Sequence, residues 1–225
     1  MSAEAERLLE RVRRFAMPEG DVEPRDVRFS QQGEMRLAPD ARWRPFRAAQ
    51  WMSGSSIDFR WRAWFWLARF APVHVVDSFE SGAGALSVTA FGLMPVVGGR
   101  GPDFDRGEAM RGLAELPWRP FAFGRLANVT WEAAGESRLR LTFDDGRTKA
   151  SVELEADQEG RVVGGSAIRP RAEGKSTVET KWSGSFGDYR TFGRLRVPTS
   201  AEVAWLLPDG PFTYWRGRVT EFPAW

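Results

Sequence analysis

The chain has no cysteine and a single histidine in 225 residues. Without cysteine there are no disulfides, thiol nucleophiles, cysteine zinc sites or iron–sulfur ligands. With His74 alone, a histidine metal cluster is excluded and a Ser/His/Asp triad has only one way to form. His74 sits in the run Val73-His74-Val75-Val76, which reads as a strand carrying a structural or surface histidine. No glycine-rich phosphate loop, dinucleotide fingerprint or nucleophile elbow occurs. Gly98-Gly99-Arg100-Gly101-Pro102 comes nearest, but Pro102 and the missing lysine rule out a phosphate loop. Asp144-Asp145-Gly146 lacks the ligand spacing and distal glutamate of a calcium loop and reads as a hairpin turn. No metal and no cofactor are expected.

Strong charge of one sign is also missing. The 32 basic and 30 acidic residues leave a formal charge of +2. The pI near 9.4 reflects the high pKa of arginine, which supplies nearly all the basic residues. Acidic and basic residues alternate, and no block of basic residues marks a nucleic-acid partner. Residues 1–15 carry Glu4, Glu6, Arg7, Glu10 and Arg11 and lack the apolar core of a secretory signal, so a cytoplasmic location is expected. The uncharged run 81–99 is long enough to cross a bilayer, but its glycines and Pro95 make it a strand and a loop instead.

What is present is mostly strand. Ala5, Leu8, Val12 and Phe15 form one stripe of an amphipathic helix over 3–15, ended by Pro18 and Gly20. From Val27 the period changes to two. The clearest case is Ile57, Phe59, Trp61, Ala63 and Phe65 alternating with Asp58, Arg60 and Arg62. Further strands are predicted at 46–52, 73–79, 83–93, 127–133, 138–143, 148–156, 161–169, 177–186, 190–197, 202–207 and 213–222. Asp105 with Glu108 suggests a capping box opening an internal helix over 105–116. Gly92, Pro95 and the segment 98–102 make a long break, and Gly187-Asp188-Tyr189-Arg190 a tight turn. The fold class is mainly β: a curled antiparallel sheet or incomplete barrel with a few short covering helices. One domain over 1–225 is expected, with helix and lead-in at 1–20 and sheet over 25–225, and no linker or repeat divides it.

Several stretches resemble an uncharacterised bacterial family, a domain of unknown function. They are Gly33-Glu34-Met35-Arg36, Trp43-Arg44-Pro45-Phe46-Arg47-Ala48, Phe59 with Trp61, and Leu93-Met94-Pro95-Val96-Val97. Leu113-Ala114-Glu115 with Trp118 and Pro120, Gly187-Asp188-Tyr189-Arg190, Glu202-Val203-Ala204-Trp205, Pro211-Phe212 and Tyr214-Trp215-Arg216-Gly217 complete the set. The resemblance implies a curled, incomplete antiparallel barrel with helices plugging its open side, similar to bacterial lipoprotein carriers. It implies no activity. Many relatives begin with membrane-spanning helices, and this sequence shows no such segment.

The 11 tryptophans are the oddest feature of the composition. Trp64 and Trp66 fall out of phase with Phe59 and Trp61, so large rings lie on both faces of one strand, and one face is a candidate cavity wall. Asp77, Glu115, Asp188 and Glu202 are either proton-transfer groups facing one another or partners of arginines such as Arg36, Arg190 and Arg216. The candidate ligand-binding set is Glu34, Arg36, Trp61, Glu115, Trp118, Asp188, Tyr189, Arg190, Glu202, Trp205, Trp215 and Arg216. The leading expectation is a binding protein that holds a lipid-like or other apolar small molecule. The alternatives are a cofactor-independent enzyme, with Glu34, Glu115, Asp188 or Glu202 moving protons in the same cavity, and a structural or interaction domain.

Overall fold

The computed structural model describes residues 1–68, 71–91, 94–174 and 176–224. Leu93 of the resemblance motifs, which also ends the strand expected at 83–93, and Trp225 lie outside them. Helix α1 (Ala3–Ala16) opens on Ser2, whose hydroxyl accepts from the Ala5 amide at 3.3 Å. Glu4 and Glu6 sit in its first turn and Arg13 and Arg14 in its last, each sign complementing the helix dipole. It buries Ala5, Leu8, Leu9, Val12 and Ala16.

Six strands follow: β1 (Val27–Met35), β2 (Arg44–Met52), β3 (Phe59–Ala68), β4 (Ala71–Glu80), β5 (Ala83–Ala90) and β6 (Met94–Gly99). After helix α2 (Pro102–Ala114) and two 3-10 turns (Leu116–Trp118 and Pro120–Ala122) come seven more. They are β7 (Val129–Ala133), β8 (Arg138–Asp144), β9 (Lys149–Ala156), β10 (Val162–Glu173), β11 (Ser176–Phe192), β12 (Leu195–Leu207) and β13 (Gly210–Glu221). All thirteen form one antiparallel sheet in the order β6-β5-β4-β3-β2-β1-β13-β12-β11-β10-β9-β8-β7. Two meanders, one from each half of the chain, are therefore seamed in the middle by β1 and β13. A sheet this wide must curl. It does so far enough for Phe79 of β4 to meet Phe143 of β8 edge-on, with ring centroids 5.7 Å apart. Helix α2 fills the hollow, packing on β4 and β5 from one meander and on β8, β9 and β10 from the other.

Several expectations change. The break expected at Gly92, Pro95 and 98–102 is partly strand, since β6 takes in Pro95, Gly98 and Gly99 as a sheet edge, where a proline is tolerated, and Gly92 lies outside the described residues. Helix α2 starts three residues before the expected capping box, with Gly101 as N-cap and Pro102 in its first turn. Asp105 caps nothing and instead accepts from the Gly84 amide at 2.7 Å, fixing α2 to β5. The Gly187–Arg190 turn is absent, and these residues lie inside the long strand β11. There Asp188 takes a left-handed φ of 51°, and Thr199 donates to its carbonyl at 2.6 Å. Gly187 pairs with Ser200 and Tyr189 with Pro198, so Gly-Asp sits within the β11–β12 ladder, while the real hairpin turn falls at Gly193 and Arg194.

Arg119 locks the helical layer to the sheet. It is fully buried and donates to the carbonyls of Ser53 (2.7 Å), Ser56 and Gly112 (3.0 Å). Burial pushes its guanidinium down to about 10, against the pull of Glu115 and Asp58.

Candidate functional site

Strand alternation gives the sheet an inner face toward α2 and a back face. Phe29, Phe46, Phe59, Trp61, Ala63 and Phe65 point inward and are buried. Phe46 packs edge-on against Trp61 at 5.5 Å and stacks with Trp215 at 5.7 Å and 27°. Gly33 and Gly217 sit opposite each other on β1 and β13, where a Cβ would lie 2.8 Å from the Phe46 ring and 2.5 Å from the Trp215 ring. These glycines leave room for flat rings to lie on the backbone. Towards one end the inner face is only half-buried, at Met35, Val75, Val88, Val203, Trp205, Tyr214 and Trp215. Trp205 and Tyr214 stack there at 5.8 Å.

A polar network lies in this aromatic surface under α2. Arg111 donates from Nη1 to Asp77 at 2.5 Å and from Nε to Glu115 at 2.8 Å, with its guanidinium over the rings of Phe59 (4.8 Å) and Trp61 (5.2 Å). Gln50 donates to the other Glu115 oxygen, and Trp61 donates to Gln31 at 2.9 Å. Glu108 adjoins Asp77, and its Oε2 and the Asp77 Oδ1 are both buried with no hydrogen-bond partner. Burial, and then the Asp77 charge, push the Glu108 carboxyl up to about 8, although Arg169 and Arg111 pull the other way. A carboxyl raised in this way favours its protonated form, and the Asp77 carboxylate beside it is the acceptor that form faces. Arg169 lies over Trp182 at 5.1 Å, and the Trp182 indole donates to the Tyr214 hydroxyl at 3.0 Å. Ionic network and aromatic layer are thus continuous.

Of the expected site residues, Trp61 and Glu115 belong to this network, and Trp205 and Trp215 to the half-buried aromatic end. Trp118 is buried and donates to the Pro198 carbonyl at 3.0 Å, holding the first 3-10 turn on β12. Tyr189 is bonded to the Val162 carbonyl at 2.7 Å, and its hydroxyl is raised by burial. Asp188 pairs with Arg218 at 3.3 Å, and Arg190 is exposed. Arg36 donates to the Thr213 (2.7 Å) and Pro39 (2.8 Å) carbonyls and covers Trp43. Glu34 and Arg216 pair at 2.7 Å on the back face, with Arg216 over Trp43 at 4.4 Å. With Glu202 they line an open groove of about 1080 Å³ that also includes Arg47, Trp64, Trp66 and Arg218. Of the four suspected carboxylates, Asp77 and Glu115 come together, while Asp188 and Glu202 are elsewhere. Sequence reading passed over Glu108, Arg111, Gln31, Gln50, Arg169 and Tyr214. The spacing of Glu108, Arg111 and Glu115, at three and four residues, was the available signal, since it places all three on one helix face.

The profile of a family of unknown function (DUF6544) matches residues 7–217. The chain belongs to this family. No curated protein matches it. Among solved structures, it is similar to a LolA superfamily protein from Nitrosomonas europaea, with a TM-score of 0.52 and 11% identity over 100% of this chain and 94% of that one. A putative outer membrane lipoprotein-sorting protein domain from Vibrio parahaemolyticus gives 0.52 and 12%, covering 97% and 92%. A DUF1329 family protein from Desulfovibrio piger gives 0.53 and 9%, covering 99% and 94%. At these identities the likeness is one of fold, and this DUF6544 protein has the curled half-barrel of lipoprotein-carrier-like proteins. No helix among its described residues is long and apolar enough to cross a membrane.

Proposed function

We propose that the protein binds an amphiphilic small molecule on the inner face of its sheet, with the apolar part on the half-buried aromatic end and the polar part toward the Arg111 network. One observation carries this reading: the half-buried surface of Met35, Val203, Trp205, Tyr214 and Trp215 continues without a break into the ionic cluster beneath α2. A mainly apolar surface with a few convergent polar groups is the usual character of a small-molecule site. Similarity to a LolA superfamily protein and a lipoprotein-sorting domain supports the reading by analogy of fold.

Native mass spectrometry of the purified protein should show a co-purifying lipid-like mass. Oleate titrated into delipidated protein should quench tryptophan fluorescence saturably. Trp215→Leu removes ring area from the site and should weaken oleate by about fivefold or more. Absence of both a bound mass and saturable quenching would sink the proposal.

The Asp77–Glu108 pair favours a second reading, because a carboxyl held near 8 beside a charged one is suited to proton transfer. On that reading the bound molecule is turned over, and Glu108→Gln abolishes turnover while leaving binding intact.

A further inference from the structure

The alternation that turns Phe46 and Trp61 inward puts a different set of side chains on the back of the sheet. Register lines up Trp64, Arg47, Gln32, Arg218 and Ser200 in one row across β3, β2, β1, β13 and β12. A second row beside it holds Pro45, Glu34, Arg216, Glu202 and Ser185, and reaches β11. Between the rows, Gly33 and Gly217 present only backbone. Two rows and a low floor make the open groove of about 1080 Å³. It crosses six strands, roughly 24 Å at the usual interstrand spacing. Trp64 closes one end. Its ring stacks on His74 of β4 at 5.2 Å and 29°, so one face is covered from outside the groove and the other is turned toward β2 and the groove. Trp66, two residues along the same face of β3, lines that end as well, and the two residues are 46% and 57% exposed.

We infer that this groove binds a neutral oligosaccharide, with one sugar ring lying against Trp64 and the hydroxyls of the chain reaching the two polar rows. Charge selects a neutral ligand. Glu34 pairs with Arg216 at 2.7 Å and Arg218 with Asp188 at 3.3 Å, which leaves Arg47 and Glu202, one of each sign, without an ion pair among the described residues. With its charges balanced, the groove has no field to gather a polyanion or a polycation. Gln32, Ser185 and Ser200 both donate and accept, which is what a hydroxyl requires of its partners. A fatty chain laid here would cover these groups and leave them unpaired. A peptide's main chain would find no strand edge, because the backbone groups of the floor are already committed to the sheet ladder. A sugar ring has an apolar C–H face and a rim of hydroxyls, and the groove offers an indole face to the first and mixed polar groups to the second. This site lies on the opposite face of the sheet from the amphiphile site and shares no residue with the Arg111 network.

The test is titration of the full-length protein with cellopentaose, maltopentaose and N-acetylchitopentaose, followed by calorimetry and tryptophan fluorescence. At least one should bind saturably with a Kd below about 1 mM and shift the tryptophan emission. Trp64→Ala should weaken that sugar by about tenfold or more. Glu202→Gln, which keeps the shape and removes the charge, should weaken it by about threefold or more. Both residues are exposed, so both variants should melt with the natural protein and still bind oleate as it does. Val163→Ser, an exposed apolar residue at the start of β10, should leave sugar binding unchanged. Four outcomes overturn the inference: none of the three sugars binds, Trp64→Ala binds as well as the natural protein, an anionic oligogalacturonate binds more tightly than every neutral sugar, or the protein is a dimer that Trp64→Ala dissociates, which would make the groove a contact between copies. Protein that binds oleate but no sugar would overturn this inference alone, and protein that binds a sugar but no amphiphile would overturn only the binding proposal.

Discussion

Glu108 is the residue whose protonation the fold alters most consequentially. Its carboxyl rises from an ordinary 4.5 to about 8, so the native state keeps a proton that the unfolded chain releases. Stability should then fall as pH rises from about 4.5 to about 8, and the loss should be complete above the folded value. The expected size is about 3 to 5 kcal/mol over that window, for a group buried beside a like charge. Asp21, Asp145 and Asp157 are lowered instead, so their contributions vanish only below their ordinary 3.8 and leave this window alone. Glu108→Gln keeps a donor for Asp77 and removes the titration. Thermal melts from pH 5 to pH 9 should slope downward for the natural protein and run nearly flat for the variant. Parallel slopes would show that another group holds the proton.

Among the elements, α2 matters most, and although the sequence places a helix at 105–116, it does not show which face of that helix is buried. Its apolar stripe is weak because Glu108, Arg111 and Glu115 face inward, where a sequence pattern assigns charged residues to water. The strands were far more legible, since Phe59, Trp61, Ala63 and Phe65 alternate cleanly and one face of β3 is core. Asp188 misled for a different reason. Gly-Asp is turn chemistry, and only the pairing of Gly187 with Ser200 and of Tyr189 with Pro198 shows that it lies within a strand. The candidate site was legible in its tryptophans and in Asp77 and Glu115, but their partners come from an internal helix whose docking the sequence does not reveal. That docking depends on Gly112, where a Cβ would run into the Ile57 carbonyl, and backbone cannot swing aside as a side chain can. Gly112→Ala should therefore lift α2 off the β2–β3 turn and weaken the bond between Arg119 and the Gly112 carbonyl. A loss of about 1 to 3 kcal/mol in denaturant melts is expected, despite the gain in helix propensity. Unchanged or raised stability would mean that α2 is not so closely seated.

For the whole molecule, the decisive feature is the seam between β1 and β13, which joins the first strand of the chain to the last and brings both meanders into one sheet. Its pairs are far apart in sequence, and Glu34 and Arg216 are separated by 182 positions. Closing a loop of that length costs entropy during folding, and the return comes only once the seam has formed. A covalent bond across the seam should therefore stabilise the protein strongly. Glu34 and Arg216 are direct partners in the antiparallel register, and the Cα separation of such pairs falls within the range a disulfide spans. The ion pair they form is exposed on both sides and contributes less than about 1 kcal/mol, so little is lost by replacing it. The natural chain has no cysteine, so Glu34→Cys with Arg216→Cys can form only the intended bond within one molecule. Loop entropy puts the gain at up to about 5 kcal/mol. Mass spectrometry should find the oxidised double variant two hydrogens lighter, and its melting temperature should exceed that of its own reduced form by well over ten degrees. A crosslink that fails to form would overturn the register of the central seam. One that forms without raising the melting temperature would show that unfolding begins in an outer meander, with β1 and β13 still paired.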